Sequence, residues 1–308
     1  MGAKLRSWWQ KIKQYRVTIL VIAFILVVTI ALIIVGYRFD WTGFNGNNKS
    51  GKTLWDWLNL LSVLAIPAVV GFGAVWFTTQ QGKVADAENK DNQRETALQA
   101  YIDKMSELLL HEKLRDSAED DEVRKIARVR TLTILPRLDG SRKGSVIRFL
   151  YESGLIDKDK TIIDLFGADL TWSDPGTFLN GANLSNAFLT NAILTLSELK
   201  NAKMNNVILT GAYLDFANLS DADLHYSRLN KSNMFNAKFV GANLSYVLLT
   251  DSILEEANLS KSNLTGAIFK GANLNMANLS EAIVDVEQLE AQAKSLKGAT
   301  MPDGSIHP

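Results

Sequence analysis

Hydrophobic and polar positions divide the 308-residue chain into four stretches with different patterns. Two uncharged runs come first, one of 21 residues over 17–37 and one of 20 residues over 58–77. A helix of about 20 apolar residues crosses the hydrocarbon core of a bilayer. Residues 1–82 are therefore predicted to form a two-span membrane anchor.

The charges beside the two runs predict how the anchor is oriented. Residues 1–16 hold five basic residues and no acidic one, so the positive-inside rule places the N-terminus in the cytoplasm. Two spans then return the C-terminal part to the cytoplasm as well. The short loop between them contains Gly46–Thr53, which has the spacing of a phosphate-binding loop. No strand precedes it and no sheet fits around it, so it is predicted to be a turn.

The second stretch, residues 83–162, carries 16 basic and 16 acidic residues and is predicted to be a small cytoplasmic helical module. Apolar residues from Leu98 to Leu109 recur at three-and-four spacing, which predicts an amphipathic helix over 90–114. The same spacing also suits a short coiled-coil seam. Two further helices are predicted from their N-cap residues, which are Asp120 or Asp121 for the first and Ser141 for the second.

Charge inside this module is segregated, because an acidic cluster over 116–122 precedes a basic run over 124–148. A basic surface just inside a membrane can hold anionic lipid. The alternative is a solvated helix face that pairs with the acidic cluster beside it. The candidate lipid contacts are Arg124, Lys125, Arg128 and Arg130.

The third stretch, residues 163–284, repeats every five residues. From Leu179 to Val284 all 22 positions at this spacing are large and apolar, and the residue two before each is Ala in 14 cases. Leu165 and Leu170 fit one residue out of phase, with the slip at Trp172–Gly176. The inner repeat centres are Leu184, Leu189, Leu194, Leu199, Met204, Leu209, Leu214, Leu219, Leu224, Leu229, Met234, Phe239, Leu244, Leu249, Leu254, Leu259, Leu264, Phe269, Leu274 and Leu279.

A five-residue period fits neither a helix nor a flat strand, since both would carry the apolar positions out of one face. A coil that turns a corner every five residues keeps them all inside. Four sides close one square coil, and successive coils stack at about 4.8 Å. The pattern therefore predicts a β-solenoid.

Three of the repeats, Ala182-Asn-Leu-Ser-Asn186, Ala242-Asn-Leu-Ser-Tyr246 and Ala272-Asn-Leu-Asn-Met276, match an A-(D/N)-L-X-X signature. This signature resembles the pentapeptide repeat family, which implies a right-handed quadrilateral β-helix. Residues 51–57 and 107–110 are also similar to the membrane module of bacterial membrane-anchored pentapeptide proteins. That likeness implies a bacterial inner (plasma) membrane location.

The resemblance also implies that DNA imitation, by which some members inhibit a topoisomerase, is a function to consider. That function needs an acidic rod, whereas residues 177–284 carry seven basic and eight acidic residues. A rod with a net charge of −1 does not imitate a duplex that carries one charge per about 1.7 Å. No nucleic-acid partner is expected.

The last stretch, residues 285–308, is predicted to cap the solenoid with a helix over Asp285–Leu296 that ends at Gly298. The overall fold class is thus mixed: two transmembrane α-helices, a helical module and a quadrilateral β-helix with a C-terminal helical cap. The chain has no Cys and three well-separated His, so thiolate and His-rich metal sites are excluded. His225 is interpreted as a surface residue.

No motif joins a nucleophile, a base and an orienting group, so no enzyme activity, cofactor or small-molecule substrate is expected. The first functional hypothesis is a membrane-anchored scaffold that presents the rod to a cytoplasmic protein partner, with membrane lipids around its spans. The second is a homo-oligomeric pore or effector, whose spans are controlled by the cytoplasmic repeats. Gly71 and Gly73 in the second run and the Leu98–Leu109 seam would support that self-association.

Overall fold

The computed structural model describes residues 54–176 and 178–308, together with Ile30 and Ile34. The chain divides into two compact units, Met1–Asp86 and Ala87–Pro308. The predicted span over 17–37 and the loop with Gly46–Thr53 lie outside the described residues, apart from those two isoleucines.

Helix α1, Leu54–Leu110, contains the second uncharged run, with Pro67 inside it. Within the described part of the chain, no helix combines the length and the apolar character that crossing a membrane requires. The structure therefore gives no support to the predicted spans. The helix begins well before the 90–114 segment that periodicity predicted, because the apolar spacing reports only the face that packs on a core.

Two further helices follow, α2 (Glu122–Ile134) and α3 (Gly140–Glu152). Short 3-10 turns precede α2 at Leu114–Asp116 and follow it at Leu135–Arg137. Asp121 is the N-cap of α2, as expected. The N-cap of α3 is Asp139 and not Ser141, because the Asp139 carboxylate accepts a hydrogen bond from the Arg142 amide.

The apolar face of α1 between residues 98 and 109 packs inside its own molecule. Leu98, Tyr101 and Met105 are buried, and the Tyr101 hydroxyl lies 2.8 Å from the hydroxyl of Thr131 on α2. The Tyr101 ring also meets Phe149 of α3 edge-on. The suggested coiled-coil seam is therefore wrong, since this face has no surface left for another copy of the chain.

The repeat region forms a solenoid whose coils are joined by parallel bridges between residues 20 apart, such as Asn183 with Lys203 and Lys203 with Asp223. Twenty residues are four five-residue repeats, so each coil has four sides. Every centre from Leu184 to Leu279 is buried, and the small residue two before it lies beside it in the interior.

Each corner of the solenoid is a hydrogen-bonded turn. In the turn at Asn201, the Ala202 amide donates to the Leu199 carbonyl, and Asn201 has a φ of 57°. A positive φ at the third turn residue is the requirement of a type II turn. Asn and Gly accept this conformation most readily, which explains why they recur two residues after the centres.

The predicted slip near the start of the solenoid is visible in the bridging. Asp169 pairs with Phe188, 19 residues on, whereas later pairs are 20 apart. Before it, residues 155–163 fold into a small antiparallel pair whose Asp157 bridges Ala182. This pair covers the first open edge of the solenoid, so that edge is not left for another chain to join.

The other end differs from the expected cap. Helix α4 covers only Val286–Gln292, and the bridging then resumes between Asn273 and Ser295 and between Asn278 and Thr300. Leu296 and Met301 are therefore two further buried centres, not parts of a helix and a tail. Gly298 supplies a corner with a φ of 70°, so it does not terminate a helix. Ile306 folds back antiparallel onto Thr300 and closes the last coil.

Candidate interaction surfaces

The basic run of the helical module does not form one surface. Arg124, Lys125 and Arg128 line a cleft of about 350 Å³ between α2 and the start of the solenoid, together with Thr161 and Asn183. The fourth candidate lipid contact, Arg130, lines a different cleft of about 330 Å³ that also includes Tyr101 and Arg137. The structure thus groups three of the four predicted residues and separates the fourth.

Arg124 and Arg128 attach α2 to the first part of the repeat region. The Arg128 guanidinium donates to the carbonyl oxygens of Asp164 and Phe166 at 3.0 and 3.1 Å. Arg124 donates to the Ser117 hydroxyl at 3.1 Å. Because these acceptors are mostly neutral oxygens, the cleft keeps positive charge.

Further along the run, two side chains of α3 form ion pairs within the fold. Arg142 pairs with Asp91 and Glu95 of α1 at 2.8 and 2.9 Å. Lys143 is buried, with its ammonium 3.1 Å from the Asp169 carboxylate and 3.2 Å from the Thr171 carbonyl oxygen. Partial burial opposes ionisation of Asp169, but hydrogen bonds from Thr171 and Lys143 outweigh it and lower the pKa of Asp169.

Two glycines let the backbone of α3 touch the slip segment directly. A Cβ on Gly140 would lie 2.0 Å from the Trp172 carbonyl oxygen, and one on Gly144 would lie 1.8 Å from that of Asp174. The Asp174 amide donates to the Gly140 carbonyl oxygen at 3.2 Å. The helical module and the first coil are therefore packed as one body.

The outer residue on each side of a coil stacks on its equivalent in the next coil, so the solenoid has four columns of outer side chains. The apolar column consists of Phe188, Ile208, Arg228, Leu248 and Ile268. The next column in chain order is also rich in large apolar residues and contains Ile193, Tyr213, Asn233, Ile253 and Asn273.

The remaining two columns are polar over most of their length. The column opposite the apolar column is Glu198, Asn218, Lys238, Asn258 and Asn278, with Phe178 at its start. The other is Asn183, Lys203, Asp223, Asn243 and Asn263, with Ile283 at its end. The outer surface is thus divided into an apolar half and a polar half.

Aromatic side chains mark the corners of the apolar half. Tyr226 and Tyr246 stack with ring centres 5.0 Å apart beside the apolar column. Phe216 and Phe235 meet edge-on at 5.4 Å beside the next column. Such rings contribute large contact areas when a partner covers them.

His225 lies at the same corner as Tyr226, and its Nδ1 is 2.7 Å from the Asp223 carboxylate. That carboxylate also accepts a hydrogen bond from Asn243 at 2.9 Å. Among the described residues, no group of three or more His, Asp or Glu side chains is arranged to hold a metal ion.

These features define a class: a β-solenoid of five-residue repeats with a packed interior and a surface divided by character. The family model for pentapeptide repeats matches it in eight copies, over residues 179–211, 217–255 and 249–284. The repeat region of the chain is therefore a pentapeptide repeat domain. No curated protein sequence matches the chain.

Solved structures of pentapeptide repeat proteins also match the chain. Rfr23 from the cyanobacterium Cyanothece 51142 is 29% identical, and the match covers 33% of this chain and 66% of that one, with a TM-score of 0.29. HetL from Nostoc sp. strain PCC 7120, described as involved in regulating heterocyst differentiation, is 26% identical over 47% and 82%, with a TM-score of 0.24. A trypsin-treated form of QnrB1, a plasmid-mediated fluoroquinolone resistance protein, is 22% identical over 45% and 79%, with a TM-score of 0.27.

The division of the outer surface was missed by sequence reasoning. The five-residue period fixes the interior, but each outer column contains only every twentieth residue. Reading the sequence at that longer interval would have revealed the apolar column.

Proposed function

We propose that the protein is a non-enzymatic, membrane-anchored scaffold whose solenoid presents its outer surface to a cytoplasmic protein partner. The observation that carries the proposal is the division of this surface into an apolar and a polar half. The buried centres fix the backbone of every coil, so the outer residues are held in a rigid array. A preordered surface of this kind loses little conformational entropy on binding.

Two observations support the anchoring part of the proposal. The run Leu58–Phe77 carries no charge over 20 residues. The large apolar side chains described within it are exposed: Val63, Val70, Phe72, Val75, Trp76 and Phe77. A helix that is apolar all round is typical of a segment covered by lipid or protein.

Because the chain has no Cys, single introduced cysteines test the anchoring and its orientation. Lys49→Cys in the loop between the runs should react with an impermeant maleimide added to whole cells. Lys261→Cys on the solenoid should react only after the cells are opened. Recovery of the chain in the soluble fraction, or labelling of Lys261→Cys from outside, would overturn the anchoring.

The partner-binding part is tested by crosslinking in cells. A photoreactive residue at position 248, on the apolar column, should crosslink one defined protein, and the same residue at position 258, on the opposite column, should not. Equal crosslinking from both positions would contradict display by a particular face.

The cleft of Arg124, Lys125 and Arg128 is the lipid contact in this proposal. Replacing all three with Gln should weaken binding of the full chain to phosphatidylglycerol vesicles relative to phosphatidylcholine vesicles. Arg130→Gln, which lies in the other cleft, is the matched control. Equal effects of the two variants would remove the cleft from the proposal.

A further inference from the structure

The apolar column of the solenoid carries one charge, and that charge is at its centre. Phe188, Ile208, Leu248 and Ile268 lie in successive coils on either side of Arg228. Four coil spacings of about 4.8 Å make the column about 19 Å long. The fold does not require apolar residues here, because the opposite column has equivalent backbone positions and holds mostly Asn, Lys and Glu.

Arg228 is exposed and has no ion-pair or side-chain hydrogen-bond partner among the described residues. Lys231 at the adjoining corner adds a second positive charge, and Asp251 follows at that corner in the next coil. The stacked pair of Tyr226 and Tyr246 borders the column at its middle. Tyr and Arg at the centre of an apolar patch are the composition of an interface hot spot.

We propose that the apolar column binds an amphipathic segment of a partner protein that places a carboxylate on Arg228, between apolar side chains that cover Ile208 and Leu248. Arg prefers carboxylates because its planar guanidinium donates two parallel hydrogen bonds to them. Helical segments of about 13 residues match the length of the column. The inference rests on the proposed function, since it names the chemistry of the partner that the scaffold presents itself to.

A second copy of the chain does not satisfy this surface. In a symmetric dimer the same patch meets itself, so a two-fold axis through the centre of the column brings Arg228 against Arg228. Two like charges removed from water at such a contact oppose association. An acidic segment of another protein removes this repulsion and pairs the charge.

The test is a selection of random 16-residue peptides, displayed on phage, on the immobilised full-length chain. Enriched peptides should share an Asp or Glu flanked by apolar residues. Their affinity, measured by fluorescence anisotropy, should fall at least tenfold for Arg228→Glu. It should stay within twofold for Lys238→Glu, which reverses an exposed charge at the equivalent position of the opposite column.

Two further variants complete the test. A selected peptide whose carboxylate is replaced by Lys should regain affinity for Arg228→Glu, which a general loss of folding could not produce. Leu248→Asp should weaken binding, while Asn258→Asp on the opposite column should not.

The proposal is overturned if no peptide is enriched, if the enriched peptides lack the acidic-apolar pattern, or if Arg228→Glu leaves their affinity unchanged. A change of oligomeric mass on Arg228→Glu would also overturn it and assign the column to a second copy. Failure of the cysteine-labelling test leaves these results unaffected, so the anchoring and the peptide site are refuted separately.

Discussion

The contact between α3 and the slip segment predicts that Gly144→Ala destabilises the packing of the helical module. A Cβ on Gly144 would lie 1.8 Å from the Asp174 carbonyl oxygen and 2.4 Å from its carbon. Both are backbone atoms, so no side chain can turn aside. The helix or the slip segment would have to move by more than about 1 Å to restore ordinary van der Waals separation.

The magnitude follows from opposing effects. Ala favours a helix interior over Gly by about 1 kcal/mol. Overpacking a filled contact costs about 1–3 kcal/mol. Moving α3 also weakens the Asp174 amide bond to Gly140 and the Lys143–Asp169 pair, at about 1 kcal/mol each. The net expectation is a destabilisation of about 1–4 kcal/mol, so the steric effect exceeds the helix propensity.

Hydrogen exchange followed by mass spectrometry measures this locally, without assuming that the whole chain unfolds in one step. Amides of α3 should exchange at least about fivefold faster in Gly144→Ala, because 1 kcal/mol corresponds to about that factor. Ser141→Ala, at an exposed position of the same helix, should leave exchange unchanged or slow it slightly. If Gly144→Ala also slowed exchange, helix propensity would dominate and the close packing would be refuted.

Three other perturbations test different parts of the fold. Leu219→Ala, at a fully buried centre, should lower the free energy of unfolding of the middle coils by about 2–5 kcal/mol, measured as loss of amide protection there, whereas Asn258→Ala on the outer surface should change it little. Leu196→Asn should raise the thermal midpoint, because Leu196 holds a φ of 61° that costs a bulky residue about 1–2 kcal/mol; an unchanged or lower midpoint would show that Leu196 is held there without strain. Since the folded pKa of Asp169 is lowered, its pair with Lys143 stabilises the fold above the unfolded pKa of about 3.9 and is lost as the pH falls through the folded pKa. The urea midpoint should therefore drop on acidification below about pH 4, and Asp169→Asn should drop less over that window.

The interior of the solenoid was predictable because it depends on local rules. A large apolar residue every five positions, a small one two before it and an Asn or Gly two after it each satisfy one side of the coil. The one-residue slip was also predictable, since Leu165 and Leu170 keep the spacing out of phase. The two coil sides centred on Leu296 and Met301 were missed because α4 separates them from the preceding repeats and changes the bridging interval from 20 to 22 residues.

The packing of the helical module was not predictable, because it depends on residues distant in sequence. Gly140 and Gly144 are four residues apart on α3, a spacing that has meaning only when another backbone approaches that face. The basic run had one charge pattern in the sequence, yet its members have different partners. Arg142 pairs with α1, Lys143 with the first coil, and Arg128 with carbonyl oxygens of the slip region.

The outer surface needs a longer period than the one that defines the fold. Adjacent repeats in sequence lie on different sides of the coil, so Arg228 and Leu229 face outward and inward, while Arg228 and Leu248 are neighbours. A partner that covers one side therefore contacts residues 20 apart and leaves the five-residue signature untouched. Selection for folding acts on the centres and corners, whereas any selection for a partner acts on a column, and the two patterns overlap in the same chain without constraining each other. This is why the chain can be a typical pentapeptide repeat in its interior while Arg228 and its apolar neighbours give one side a character of its own.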